Sequence, residues 1–138
     1  MIMVVTLPST YTVYLSGSIH SPVAFRWRAD LADANNYEAL EFTHLDLERT
    51  YQGAEIATET ASLLQECDGV IAHYEPDSDQ AQTACELLMA KRFELPIVVW
   101  TDQYTGTLSA LSAWWHYVAT KFCQTGRHSL ESTYKLVE

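Results

Sequence analysis

Two hydrophobic periods take turns along the chain. Tyr11 to Ser16 (YTVYLS) is β-branched and aromatic and stops at Gly17, which predicts a strand ending in a turn. From Pro22 to about Asn35 the residues Phe25, Arg28, Leu31 and Ala32 recur at helical intervals. Pro22 suits the first turn of that helix and Ser21 its N-cap. Ala39 to Leu45 reads as a short strand, and Gln52 to Glu66 as a helix with Ile56, Leu63 and Leu64 on one side. Asp68 to Tyr74 (DGVIAHY) is the third strand. The turn EPDSD follows, and Asp79 with Gln82 has capping-box spacing for a helix running to about Phe93. Pro96 to Trp100 (PIVVW) is continuously apolar, as in a strand buried on both faces, with Pro96 where no ladder donor is lost. The last third predicts a helix from Leu108 to Tyr117, a short strand from Thr120 to Cys123, and a closing helix from Ser129 to Val137 capped by Ser129.

The order βαβαβαβαβα calls for a parallel sheet covered by helices on both faces. Five strands in 138 residues fit the flavodoxin-like order 2-1-3-4-5, a Rossmann-like α/β architecture. The chain shows no repeat, low-complexity tract or Pro/Gly/Ser linker, so residues 1–138 read as a single domain.

Charge narrows the partners. With 8 Lys+Arg against 18 Asp+Glu the net charge is −10, and no basic run offers a local exception. Such a surface repels a phosphate backbone and an anionic membrane, although a small anionic ligand could still meet a local pocket. The apolar runs from Met1 to Val5 and Ile97 to Trp100 are far shorter than the roughly 18 residues of a membrane span. The N-terminus also lacks the basic and apolar regions of a signal peptide, so a cytoplasmic protein is expected. Cys67, Cys85 and Cys123 are odd in number and widely spaced, which predicts buried thiols rather than a disulfide framework. Neither they nor the five histidines have metal-ligand spacing; no metal and no cofactor are expected.

In an open parallel sheet, ligands bind beyond the carboxyl ends of the strands where the strand order reverses, here between strands 1 and 3. Two loops meet there, Gly17-Ser18-Ile19-His20 and the segment from Glu75 to Asp79, each followed by a helix N-terminus. Glu86 lies seven residues, about two turns, after Asp79, with Gln82 one turn before it on the same side. It is either an ordinary solvated carboxylate or a group facing the pocket. Tyr14 sits three residues before Gly17 and either packs in the core or holds a carboxylate ionised through its phenol. A carboxylate so held suits nucleophilic attack on an anomeric carbon, as in retaining glycosidases.

These residues carry a resemblance. Tyr14-Leu15-Ser16-Gly17-Ser18-Ile19 resembles the first-strand signature of the nucleoside 2-deoxyribosyltransferase superfamily, which includes the 2′-deoxynucleoside 5′-phosphate N-hydrolases. Cys67-Asp68-Gly69-Val70-Ile71-Ala72 is similar to that family's third strand, and Thr83-Ala84-Cys85-Glu86 falls where it places its catalytic Glu. The resemblance implies that Glu86 attacks C1′ of a deoxyribose and that Tyr14 positions the carboxylate. It also implies Asp68 and Asp79 at the base or sugar edge, and a homo-oligomer whose neighbouring subunit closes the pocket from the loop after strand 4. Departures are Gln80 in place of the family's Asp, and Gln82 and Leu88 in place of its two glycines. The YtoQ-type branch of the same fold is closer in these details. Its Gly-x-Ile-His and Trp-Arg pairs resemble Gly17-Ser18-Ile19-His20 and Trp27-Arg28.

The remaining candidates have two readings each. His20 follows the first loop and could bind phosphate or serve as an acid. Arg26 and Arg28 could grip a phosphate bidentately or form surface salt bridges. Trp114, Trp115 and Tyr117, with Trp100 upstream, form an aromatic group suited to a subunit interface or to base stacking. The leading expectation is an enzyme acting on the N-glycosidic bond of 2′-deoxynucleosides or their 5′-monophosphates, with Gly17, Ser18, His20, Asp68, Asp79 and Gln82 binding substrate. The alternatives are a non-catalytic nucleotide-binding or sensing module of the same fold, and an interaction protein assembled through the Trp114 helix.

Overall fold

The computed structural model describes residues 10–19, 24–75, 80–101 and 113–138. They alternate as β1 (Tyr11–Ser16), α1 (Ala24–Ala34), β2 (Leu40–Thr43), α2 (Gly53–Gln65), β3 (Gly69–His73), α3 (Ala81–Arg92), β4 (Ile97–Trp100), α4 (Ala113–Val118), β5 (Lys121–Cys123) and α5 (Gly126–Val137). The strands pair in parallel in the order β2-β1-β3-β4-β5, the flavodoxin-like α/β arrangement that the alternation predicts.

Period two distributes the side chains of each strand between two cores. Val13, Leu15, Ile71, Val98 and Trp100 pack with Trp27 and Leu31 of α1 and Leu130 of α5. Tyr14, Val70, Ala72, Ile97 and Val99 turn to the other side, against Leu64 of α2, Leu87 and Ala90 of α3, and Trp115 and Val118 of α4. All residues of β3 and β4 are buried, because helices cover both faces of these interior strands. Burying each such Val, Leu or Ile side chain contributes roughly 1.5–3 kcal/mol toward the entropy of ordering the chain.

Several local expectations are corrected. The buried stripe of α1 is Ala24, Trp27, Arg28 and Leu31, while Phe25 and Ala32 face solvent. A stripe at i, i+3, i+4 and i+7 faces one way, and Trp27 fits it because Gly17 leaves room: a Cβ there would stand 2.8 Å from the indole. The residue capping α3 is Gln80, without a side-chain cap bond, and the expected Asp79–Gln82 capping box falls partly outside the described residues. Asp79 itself lies outside the described residues, as do Ser21 and Pro22. The closing helix begins three residues earlier than expected. Thr125, in extended conformation, accepts from the His128 N–H at 3.1 Å, and Ser129 is instead an interior residue donating to the Gly126 carbonyl. Of the three free cysteines, Cys67 and Cys123 are buried as expected, but Cys85 is exposed.

Candidate active site

The site forms where β1 ends. Tyr14 and Ser16, two residues apart, point to the α2/α3 side of the sheet, and the second turn of α3 brings Glu86 against them. The Tyr14 hydroxyl donates a short hydrogen bond to Oε2 of Glu86, and the Ser16 hydroxyl donates to Oε1 at 3.3 Å. Glu86 is only 4% exposed, so it is not a solvated surface carboxylate.

Electrostatics follow from that burial. Desolvation is the largest influence on Glu86 and raises its pKa to about 7. The Tyr14 hydrogen bond, the Arg28 charge, Ser16 and Gln82 all pull it down, but burial prevails. The phenol thus acts toward the ionised form, in the direction the sequence reading gives it, against the larger opposing influence of burial. Tyr14 moves far above the ordinary phenol value, first through burial and then through the Glu86 charge, and so remains a protonated donor. Thr60 of α2 hydrogen-bonds Tyr14 and acts in the opposite direction.

Arg28 approaches from α1 and is buried rather than paired on the surface. Its Nη1 donates to the Ala24 carbonyl at 2.9 Å and the Ser18 carbonyl at 3.4 Å, and its Nη2 to the Gly17 carbonyl at 3.3 Å. The guanidinium thus ties down the turn that ends β1. Burial lowers its pKa to about 10, with the Glu86 charge opposing, and it stays cationic at neutral pH. Arg26, two residues earlier, is exposed. The signal for Arg28 was available in the sequence, since a charged residue falls within the Ala24, Trp27, Leu31 spacing. Ser16 was marked by its even separation from Tyr14. Thr60 carried no sequence signal, because only folding brings α2 over β1.

The other expected residues divide. Gly17 and Ser18 are buried in the turn beside the carboxylate, and half-buried Gln82 faces it from one turn earlier on α3. His20 and Asp79 lie outside the described residues. Asp68 is not brought to the site. It precedes β3 at the amino end of the sheet, exposed, with Oδ2 accepting the Thr12 N–H at 2.9 Å. The residue enters the sheet before β3 begins, whereas the pocket opens beyond the strand's far end.

The aromatic group is split by the sheet. Trp100 stacks on His73 at 4.3 Å on the α1/α5 side, and Trp27 lies 5.2 Å from the same imidazole. Trp115 is buried on the opposite side, edge-on to Tyr74, while Trp114 is 65% exposed beside Tyr117. No helix among the described residues is long and apolar enough to cross a membrane. Among them no cluster of three His, Cys, Asp or Glu could hold a metal ion.

No family model and no curated protein matches the sequence. Solved structures do match its fold. A conserved protein from Enterococcus faecalis V583 aligns with a TM-score of 0.68 at 13% identity, covering 92% of this chain and 99% of that one. The 2-deoxyribosyltransferase of Bacillus psychrosaccharolyticus also gives 0.68, at 8% identity over 86% and 90% of the two chains. The Clostridium botulinum CMP N-glycosidase BcmB gives 0.58, at 16% identity over 90% and 98%. At these identities the likeness is one of architecture, and chemistry has to be argued from the site. The chain has the fold of the nucleoside 2-deoxyribosyltransferases and of a nucleotide N-glycosidase.

Proposed function

We propose that the protein cleaves or transfers at the N-glycosidic bond of nucleosides or their 5′-monophosphates, with Glu86 as nucleophile. The 2′-deoxynucleosides are the substrates implied by the resemblance of the first-strand signature. The observation that carries this reading is the Glu86 carboxylate, buried at the switch point with each oxygen facing a hydroxyl donor. Fold neighbours that act on a deoxyribosyl group and on CMP support it.

The chemistry is a double displacement. A lone pair of the ionised Glu86 carboxylate bonds to C1′ while the C1′–N bond breaks and its electron pair leaves with the base. Water, or a second base, then attacks C1′ and returns the carboxylate. In hydrolysis the hydroxide part of water stays on the sugar and its proton goes to the departing base. Tyr14 holds one carboxylate oxygen, and Arg28 fixes the Gly17–Ser18 turn and lends positive charge. Only the ionised carboxylate attacks, so the rate rises with pH through about 7.

Chromatography of free base from a panel of deoxynucleosides, nucleosides and their monophosphates tests the proposal. Release that falls by at least about a thousandfold in Glu86→Gln is expected. Release unchanged in that variant overturns the mechanism. Self-association belongs to this reading, with the exposed Trp114 and Tyr117 rings as the contact; a monomer by light scattering removes that part.

A second reading, a nucleotide-binding module without turnover, is favoured by Gln80, Gln82 and Leu88 and by the burial of Glu86. Thermal stabilisation by nucleotides with no base release would select it.

A further inference from the structure

We propose that Thr60 is a positioning residue for Glu86: from α2 its hydroxyl donates to the Tyr14 oxygen and so commits the phenol's single proton to the carboxylate. The proposal rests on the reading that Glu86 is the nucleophile and adds a third member to its hydrogen-bonded chain.

The faces of α2 explain the placement. Its buried residues are Thr60 and Leu64, one turn apart, and Leu64 packs in the same core cluster as Tyr14. An apolar side chain would suffice to fill that stripe. A hydroxyl only 4% exposed there costs stability unless it is bonded. A helical threonine has a local solution in the carbonyl four residues back. Thr58, on the exposed face, takes it and donates to the Ala54 carbonyl at 3.0 Å. Thr60 is hydrogen-bonded across the fold, to Tyr14.

Donor counting fixes the direction of that bond. Tyr14 is fully buried, and its hydroxyl has one proton, which goes to Oε2 of Glu86. Toward Thr60 the phenol oxygen can then only accept, so the threonine proton points at it. A hydroxyl that accepts a hydrogen bond is polarised and donates more strongly in turn. The chain runs from α2 through β1 to α3 and ends on the carboxylate that must carry negative charge before it attacks. Among the described residues, the titratable or charged groups facing that carboxylate are Tyr14 from β1 and Arg28 from α1, with Ser16 and Gln82 as neutral donors. The buried residues of α2 are uncharged, so its influence on Glu86 passes through the Tyr14 oxygen.

The pH profile of base release in the wild type, Thr60→Val and Thr60→Ser tests the proposal. Thr60→Val keeps the shape and removes the donor. Its rising limb should move up by about half a pH unit, which is about threefold less release at about pH 6, with the high-pH plateau unchanged within about twofold. Thr60→Ser should restore the wild-type limb. In a Tyr14→Phe background, which lacks the phenol oxygen, Thr60→Val should move the limb no further. A limb unmoved by Thr60→Val, no recovery in Thr60→Ser, or an equal shift without the phenol overturns the proposal. Thr60→Ala gives the same reading if Thr60→Val does not fold. If the wild type releases no base from any substrate, the nucleophile reading fails separately, and the carboxylate is followed directly. The side-chain carboxyl carbon of Glu86, assigned by its loss in Glu86→Gln, is titrated by NMR. A midpoint raised in Thr60→Val and recovered in Thr60→Ser sustains the chain, and an unchanged midpoint overturns it.

Discussion

The two ends of β1 each hold an acidic side chain, and they are handled in opposite ways. At the amino end Asp68 is exposed, and its Oδ2 accepts from the Thr12 N–H while its own N–H donates to the Thr12 carbonyl. At the carboxyl end Glu86 is enclosed, and its oxygens face the Tyr14 and Ser16 hydroxyls with Arg28 acting through its charge. Asp68 fastens one strand to the start of another. Glu86 closes nothing in the backbone, and burying it costs stability once it is ionised. A fold keeps such a group where strain is useful, which is why the difference points to chemistry at one end and architecture at the other.

Replacing the buried carboxylate should produce the largest change. Glu86 has a higher pKa folded than unfolded, so its contribution to stability is complete below about pH 4.5 and is lost as pH rises through about 7. The loss amounts to about 3 kcal/mol by pH 8. Glu86→Gln should therefore stabilise the protein at pH 8 and confer little at pH 4, as urea unfolding at several pH values would show. A gain independent of pH would mean that Glu86 is not ionising inside the fold.

A smaller effect is expected at Tyr14→Phe, which keeps the ring and removes the donor to Oε2. The ionised carboxylate loses a favourable bond, so the rising limb of the pH–rate profile should move above about pH 7. At pH 7 base release should fall about tenfold to a hundredfold. A lower rate with the limb unmoved would assign the phenol to contacts with substrate rather than to the carboxylate.

Asp68→Ala marks the small end of the scale. It removes the acceptor of the Thr12 N–H at an exposed position, a loss of about 1 kcal/mol. Equilibrium unfolding should register it, and kcat/KM for base release should not change. A substantial loss of kcat/KM would return Asp68 to the substrate.

The residues that sequence reasoning identified had local signatures. Tyr14 precedes a glycine turn at the end of β1, and Glu86 stands in the second turn of the helix after β3, so topology brought them to one edge. Asp68 is assigned to the substrate through the motif resemblance alone, whereas its place at the start of the third strand puts it at the amino end of a parallel sheet, away from the pocket. Phe25 misled because its apolar character suggested a core position, but α1 turns Trp27 inward and leaves Phe25 57% exposed. Thr60 could not be found, since neither its neighbours nor its spacing refers to β1.

What the sequence by itself determined is periodic and short-range. Alternating strand and helix patterns imposed the parallel sheet, and period two placed Tyr14 and Ser16 on the same side. Tertiary structure alone decided that Glu86 would be enclosed and that Arg28 would cross from the other helix layer to the β1 turn. Glu86 and Tyr14 are 72 positions apart, and the polarity around a charge is set by every group packed near it in space. No run of adjacent residues encodes that environment.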